Sequence, residues 1–340
     1  MGKIGVGVIG VGVFGENHCR VYTNDPSTEL RAICDLNEPR MAEIAGKFGS
    51  PDQYTDYKAM LARDDIDVVS VVTPDFAHRD IAIACAEAGK HILLEKPMAT
   101  TVEDCQAIKA AVERAGVKLM VDYHNRFNTP VLLTRQAIDK GELGRVLMMY
   151  VRLSDALYVP TGMLKWADRS TVAWFLASHG VDLITWLFGS KVKRVYSVSR
   201  SVVLKDRGID TPDFFQTTLE LSCGGVAVLE TCWILSDSMQ SIVDFKVEVV
   251  GSRGQVNLNP IQHGIMVKFT PEKAEMPDVT CAPDVYGQPL GFALESIRHF
   301  IRCVKGEAEI LTGCDEGLEV TRVVCAIHES AAKGVPVEVV

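Results

Sequence analysis

The first 122 residues alternate between two periods, and this alternation constrains the fold more than any other feature of the chain. Short, mostly β-branched runs at 4–9, 30–34, 68–72, 91–94 and 117–121 are separated by helically spaced stretches at 15–22, 39–48, 77–88 and 102–115. The strand runs are almost continuously apolar, as in a sheet covered on both faces. Helices of this length between strands imply right-handed βαβ crossovers. Residues 1–122 therefore read as a doubly wound, parallel α/β domain.

The pattern changes after residue 122. Longer strands with stronger alternation are expected at 146–153, 192–200, 214–221, 226–233 and 243–250. Turns such as Cys223-Gly224-Gly225 and Gly251-Ser252-Arg253-Gly254 join several of them as antiparallel hairpins. Two helices close the chain, at 292–304 and 315–332, and the proline-punctuated stretch 272–289 reads as a surface loop. Residues 123–340 thus form a second domain, in line with the prior of about two for a chain of this length.

Composition excludes several classes. With 47% hydrophobic residues and a net charge of −9, the chain has material for two cores and lacks the basic footprint of a nucleic-acid binder or of a protein held on anionic lipid. Residues 1–15 are apolar but carry glycines at 5, 7, 10, 12 and 15, which suits neither a signal peptide nor an apolar helix. Residues 171–189 are long enough to span a bilayer, yet His179 and Asp182 fall near the middle, so this segment reads as a buried helix. The ten cysteines are scattered without a C-x-x-C pair, as expected of reduced, buried thiols. The expectation is a cytoplasmic protein with no membrane or nucleic-acid partner and no metal. His263, His299 and His328 stand in no metal-ligand spacing.

The strongest local signal is Val8-Ile9-Gly10-Val11-Gly12-Val13-Phe14-Gly15, a G-x-G-x-x-G between the first strand and the first helix. Gly10 would make the tight turn, Gly12 would let the backbone approach a pyrophosphate, and Gly15 would allow close helix–strand packing. Val13 and Phe14, between these glycines, join the candidate cofactor-binding residues, and the N-terminal N–H groups and positive dipole end of the helix that follows suit phosphates. Asp35 lies twenty residues beyond Gly15, at the end of the second strand. A carboxylate there accepts hydrogen bonds from a ribose 2′-hydroxyl and repels a 2′-phosphate, so NAD is preferred over NADP.

Further marks follow in a fixed order: Val72-Thr73-Pro74-Asp75-Phe76-Ala77-His78, Glu95-Lys96-Pro97, His124-Asn125-Arg126-Phe127 and His179-Gly180-Val181-Asp182. Over essentially its whole length the chain resembles the oxidoreductase family of glucose–fructose oxidoreductase, the inositol dehydrogenases and the rhizopine catabolism oxidoreductases. Glu-Lys-Pro is the most specific short motif of that resemblance. It implies a Rossmann domain followed by an α/β domain with an open, mainly antiparallel sheet, through which family members pair into homodimers or homotetramers. It also implies that Thr73, Pro74 and His78 line the cofactor crevice, with Glu95 near the nicotinamide and Lys96 reaching the oxygen of the reacting carbon. Asn125 and Arg126 would lie beside the nicotinamide, His179 would handle the substrate proton, and Asp182 would join Asn125 among the substrate-binding residues.

The chemistry is consistent with these roles. Oxidising an alcohol with NAD⁺ develops a carbonyl and releases a proton, so it needs a base near the hydroxyl and a cation near the oxygen. A Lys just past a strand's carboxyl end points into the ligand crevice of a doubly wound sheet, and a His titrates in the right range to take the proton. His179 and Asp182, three apart on a helix, share a face. The expected reaction is hydride transfer from a secondary hydroxyl of a cyclic polyol, sugar or sugar derivative, with Trp166, Trp174 and Tyr158 as candidate pocket walls.

One departure stands out. Where many relatives carry an Asp four residues before the histidine, this chain has Phe175. Three consequences are open: more of the proton transfer falls to Lys96, the substrate is less polar than a free polyol, or dehydrogenation is impaired. Two alternative readings stay beside the dehydrogenase, an NAD-dependent glycosidase working by transient oxidation and a non-catalytic NAD-binding sensor.

Overall fold

Branched apolar residues with helix-covered faces on both sides build the first sheet. Its elements are β1 (Ile4–Ile9), α1 (Val13–Asn24), β2 (Thr28–Cys34), α2 (Glu38–Lys47), β3 (Asp52–Tyr54), α3 (Tyr57–Leu61), β4 (Val68–Val71), α4 (His78–Glu87), β5 (His91–Leu94), α5 (Val102–Ala115) and β6 (Leu119–Val121). The computed structural model describes residues 2–239, 241–261 and 266–340. The six strands pair in parallel in the order β3-β2-β1-β4-β5-β6. This is the doubly wound Rossmann-type sheet that the alternation implies. Its order reverses between β1 and β4, where ligands bind in such folds. The helix ends are chemically marked: Asn37 and Asp56 cap α2 and α3, Thr101 caps α5, and Gly116 ends α5 in the left-handed region. β3 and α3, at three and five residues, are too short to carry a period and were not expected from the sequence.

The chain divides into two compact units, Met1–His124 with Ala282–Leu318, and Asn125–Cys281 with Glu319–Val340. The second unit is built from α6 (Thr129–Asp139), β7 (Val146–Ala156), α7 (Ser178–Phe188), β8 (Val192–Arg200), β9 (Phe214–Leu221), β10 (Val226–Leu235), β11 (Val243–Gly251) and β12 (Gln255–Leu258). Short ladders follow, β13 (Lys268–Phe269) with β14 (Ala274–Glu275) and β15 (Asp284–Val285) with β16 (Gln288–Pro289). They give the stretch read as loop some regular pairing. α8 (Phe292–Val304), α9 (Cys314–Lys333) and β17 (Val337–Glu338) complete the chain.

The larger sheet of the second unit runs β12-β11-β7-β10-β9-β8-β17. Every neighbouring pair is antiparallel except β7 and β10, which are parallel. The hairpins at 222–225 and 252–254 follow from their glycine turns. The parallel pair comes from the long connection after β7, which no turn residue announces. Alternate residues of β7, β9, β10 and β11, including Val151, Phe215, Leu229 and Val247, are buried. Gly180 seats α7 on this layer: a Cβ there would stand 2.5 Å from Leu229 Cδ1. The segment 171–189 begins with a π-helical turn, Ala173–Ala177, that runs into α7. Among the described residues no helix is long and apolar enough to cross a membrane.

α8 was read with the second domain, yet it packs in the first unit. Its spacing of Leu294, Ile297, Phe300 and Ile301 makes one apolar stripe, and these residues share a core with Val8, Tyr22, Ile33 and Leu93. An amphipathic stripe states that a helix must pack, without stating on what. The edge of β6 is closed in the same way, since Val121 and Thr312 exchange hydrogen bonds. Phe300→Ala is expected to destabilise the first unit by about 3–5 kcal/mol, seen as a lower midpoint of urea unfolding. An unchanged midpoint would contradict this placement.

Candidate active site

The glycine turn is shaped by close approach. Gly10 has φ +90°, and a Cβ on it would lie 2.4 Å from the Val72 carbonyl oxygen at the end of β4. A Cβ on Gly15 would lie 2.0 Å from the Gly10 oxygen. At Gly12, the N-cap of α1, a Cβ would meet nothing within 4 Å, and no side chain caps the helix. The start of α1 is thus bare backbone with open space in front, and Val13 and Phe14 beside it are exposed. Asp35 ties the end of β2 to this turn: Oδ2 accepts the Val11 N–H at 2.8 Å and Oδ1 accepts that of Asn37. Asp35 begins an open cleft that continues over Leu36, Asn37, Glu38 and Pro39, and Leu36 is 89% exposed.

Arg40 was not singled out from the sequence. It donates from Nε to the Val11 carbonyl at 3.0 Å and pairs with Glu16 at 2.5 Å, bracing the outside of the turn. Lys47 joins the same cluster through Glu16 and Glu43. These ion pairs hold the Glu16 carboxyl below its usual range in spite of its partial burial.

The next strand ends carry Thr73, Pro74, His78, Glu95 and Lys96. Pro74 leads into a single 3-10 turn, Asp75–Ala77, and then α4. His78 is fully buried, its Nε2 2.9 Å from the Thr73 carbonyl and its Nδ1 2.8 Å from the Pro97 carbonyl. The ring therefore clasps the loop after β4 to the loop after β5. Lys96 is half-buried and joined to Pro97 by a cis peptide bond. Glu95 is buried, and its Oε2 accepts the Lys96 N–H at 3.3 Å.

Behind Glu95 lies a polar cluster that sequence reasoning missed. His18 on α1 places Nε2 3.3 Å from Glu95 Oε1 and 3.9 Å from Asp122 Oδ2, and Nδ1 3.0 Å from Ser70 Oγ. Ser70 Oγ is 2.6 Å from the Tyr22 hydroxyl. His124 stacks against Phe14 at 6.0 Å and lies 5.8 Å from Phe292; burial drives its pKa down to about 4, so it is neutral at physiological pH. The available signal for His18 was its position three residues after Gly15, on the α1 face that also buries Cys19 and Tyr22.

The second unit holds the remaining expected residues. Arg126 makes a two-pronged pair with Asp182, Nε to Oδ2 at 2.9 Å and NH2 to Oδ1 at 2.6 Å, and lies over the Trp186 ring at 5.2 Å. Asp182 is 1% exposed, and both its oxygens accept hydrogen bonds from Arg126. Asn125 is buried, and its carbonyl accepts the Asn128 N–H. His179, in the first turn of α7, is also buried. Phe175 sits in an aromatic group, 6.2 Å from Trp166 and 6.4 Å from Trp233. Trp174 instead stacks on His328 at 5.1 Å, and Tyr158 is exposed. His328 bridges Thr171 Oγ1 and the Val324 carbonyl, and His299 meets the Glu309 carbonyl. His263 lies outside the described residues.

Comparison with known proteins agrees with this architecture. The model of the oxidoreductase family NAD-binding Rossmann fold matches residues 4–123, and that of the oxidoreductase family C-terminal alpha/beta domain matches residues 135–339. The chain is 32% identical over 203 residues to levoglucosan dehydrogenase of Pseudarthrobacter phenanthrenivorans, spanning 56% of this chain and 52%, about half, of that protein. It is 30% identical over 259 residues to inositol 2-dehydrogenase 2 of Saccharopolyspora erythraea, spanning 75% of this chain and 73% of that one. A solved structure of levoglucosan dehydrogenase in complex with NADH and L-sorbose superposes over the full length of both chains, with a TM-score of 0.83 and 25% identity.

Proposed function

The chain belongs to this oxidoreductase family, and from that premise we propose that it is an NAD-dependent dehydrogenase acting on a secondary hydroxyl of a cyclic polyol, sugar or sugar derivative. The observation that carries the reading is the position of Lys96, just beyond the carboxyl end of β5, with Gly10 and Thr73 just beyond those of β1 and β4 in the same sheet. A doubly wound sheet binds its ligand along that edge. The relatives that are dehydrogenases of levoglucosan and of inositol support the substrate class.

The residues at the turn fit NAD. Bare N–H groups open α1, the space before Gly12 is free of protein, and Asp35 keeps lone pairs available beyond its two backbone bonds. When bound, NAD supplies the two-electron acceptor. We assign Gly10, Gly12, Val13, Phe14, Gly15 and Asp35 to its adenosine and pyrophosphate, and Thr73, Pro74, His78, Glu95 and Arg126 to shaping its crevice. His78 and Arg126 would act there by holding backbone and helix in place. Lys96 holds the reacting oxygen as charge develops, His179 takes the hydroxyl proton, and Asn125 binds substrate. Asp182 orients the His179 helix through Arg126. Self-association would use the outer face of the second sheet, where Met148, Tyr196 and Val226 are exposed.

Mixing the protein with NAD⁺ and a panel of inositols, aldoses and sugar acids is expected to generate NADH absorbance. Lys96→Ala should lower kcat/KM by roughly 100-fold or more, and His179→Ala by a similar factor. Turnover within a few-fold of wild type in either variant would remove that residue's role. Gly12→Ala is accommodated by the fold, so unfolding should change by no more than about 1 kcal/mol. Its NAD affinity should nevertheless fall roughly tenfold or more; an unchanged Kd would place the pyrophosphate elsewhere.

A further inference from the structure

The cluster behind Lys96 contains more acid than it can hold as charge. His18, Glu95 and Asp122 are 1%, 6% and 1% exposed, and one ligand atom from each lies within 4.8 Å of the other two. Two carboxylates this close, away from water, do not both stay ionised beside a single imidazole. The surroundings are unequal. Glu95 Oε1 faces His18 Nε2, its Oε2 accepts the Lys96 N–H, and the Lys96 charge acts on it. Asp122 has His18 only at 3.9 Å and its Oδ1 has no hydrogen-bond partner within normal distance among the described residues, while burial and the Glu95 charge outweigh the opposing influence of the Ser296 hydroxyl and of Lys96.

We propose that His18, Glu95 and Asp122 form a buried proton-sharing triad in which Asp122 is a neutral carboxylic acid and Glu95 the fixed anion that keeps Lys96 charged. The hydrogen bonds run in one direction on this assignment. Tyr22 donates to Ser70, Ser70 to His18 Nδ1, and His18 Nε2–H to Glu95. The remaining groups facing the triad are Lys96 after β5, His124 after β6 and Ser296 on α8. His124 is neutral, as above, so among the described residues Lys96 is the side-chain cation that acts on both carboxyl groups from outside the triad. Electrostatics agree in direction. Burial and then the Glu95 charge raise Asp122 well above the usual carboxylate range, while the His18 hydrogen bond and the Lys96 charge hold Glu95 below it against the opposing cost of burial. Glu95 is thus a positioning residue, and its effect on turnover rests on the reading of Lys96 given above.

The protonation of Asp122 can be read without turnover. Infrared spectra of the wild type at neutral pH should show the C=O stretch of a protonated carboxylic acid, absent in Asp122→Asn. Stability follows by linkage. An acid whose pKa is raised on folding keeps a proton that the unfolded chain releases above about pH 4, so the wild type loses stability as pH rises through that range. Asp122→Asn should therefore melt higher than wild type, by a margin that grows from pH 4 to 7. No protonated-acid band in the wild type, or an Asp122→Asn variant less stable at pH 7, would overturn the triad. So would Zn²⁺ or Mn²⁺ raising the Tm of the wild type but not of the variant, which would make the three donors a metal site.

The link to Lys96 has a separate readout. Glu95→Gln should move the alkaline limb of the kcat profile down by about one pH unit or more, and Glu95→Asp should restore most of it. If the infrared and melting results hold while the limb stays in place, the triad stands and the role of Lys96 as the titrating cation falls.

Discussion

Much of the first unit depends on there being no side chain at Gly10. The carboxyl ends of β1 and β4 converge there so closely that a methyl group would overlap the Val72 carbonyl, and the start of α1 folds back until Gly15 touches the Gly10 oxygen. This convergence lies where the strand order reverses. It leaves the first turn of α1 bare and lets Asp35 reach across from β2 to the Val11 N–H. Arg40 and Glu16 brace the same turn from outside. Binding capacity at this edge is a property of backbone geometry, and side chains serve mainly to hold it.

Beside the turn the governing constraint is electrostatic. His18, Tyr22, Ser70, Glu95 and Asp122 are all buried, so each polar atom that lacks a partner carries a desolvation cost. The cluster answers this with a directed chain of hydrogen bonds and, on our assignment, one neutral acid. His78 does comparable work with backbone carbonyls, joining the segments after β4 and β5. In the second unit the Arg126–Asp182 pair is a buried charge pair with two-pronged geometry, of the kind in which removing one partner costs far more than the pair contributes. Each unit thus surrounds its candidate residues with polar groups that permit few alternative arrangements.

How much of this was legible in the sequence depends on length and on direction. The apolar runs at 4–9, 68–72 and 91–94 announced their strands because a doubly covered strand leaves no room for polar residues. Strands β8 and β9 showed their alternation plainly for the opposite reason, one wet face each. β3 and α3 were too short to show a period, and the π-helical turn at Ala173–Ala177 has the same apolar composition as an ordinary helix. The parallel pairing of β7 and β10 joins strands far apart in sequence, so no turn encodes it. At the candidate site, Gly10 and Asp35 were visible through spacing, and Lys96 through the Glu-Lys-Pro motif that carries the family resemblance. Arg40, Ser70 and Asp122 were not, because their meaning lies in what the fold brings beside them. His18 looks like any histidine on a helix until Glu95 and Asp122 arrive from just beyond the ends of β5 and β6.

The return of α8 to the first unit has a consequence for how the chain is made. The core formed by Tyr22, Ile33 and Leu93 is completed by Phe300 and Ile301, which leave the ribosome long after residue 124. At about 5–20 residues per second, that interval is on the order of 10 to 35 s. Meanwhile all of β7 to β12 emerges and can pair, since those strands end at Leu258. The unit that begins first in the chain therefore finishes late, and nascent chains carry its uncovered apolar face throughout the synthesis of β7 to β12.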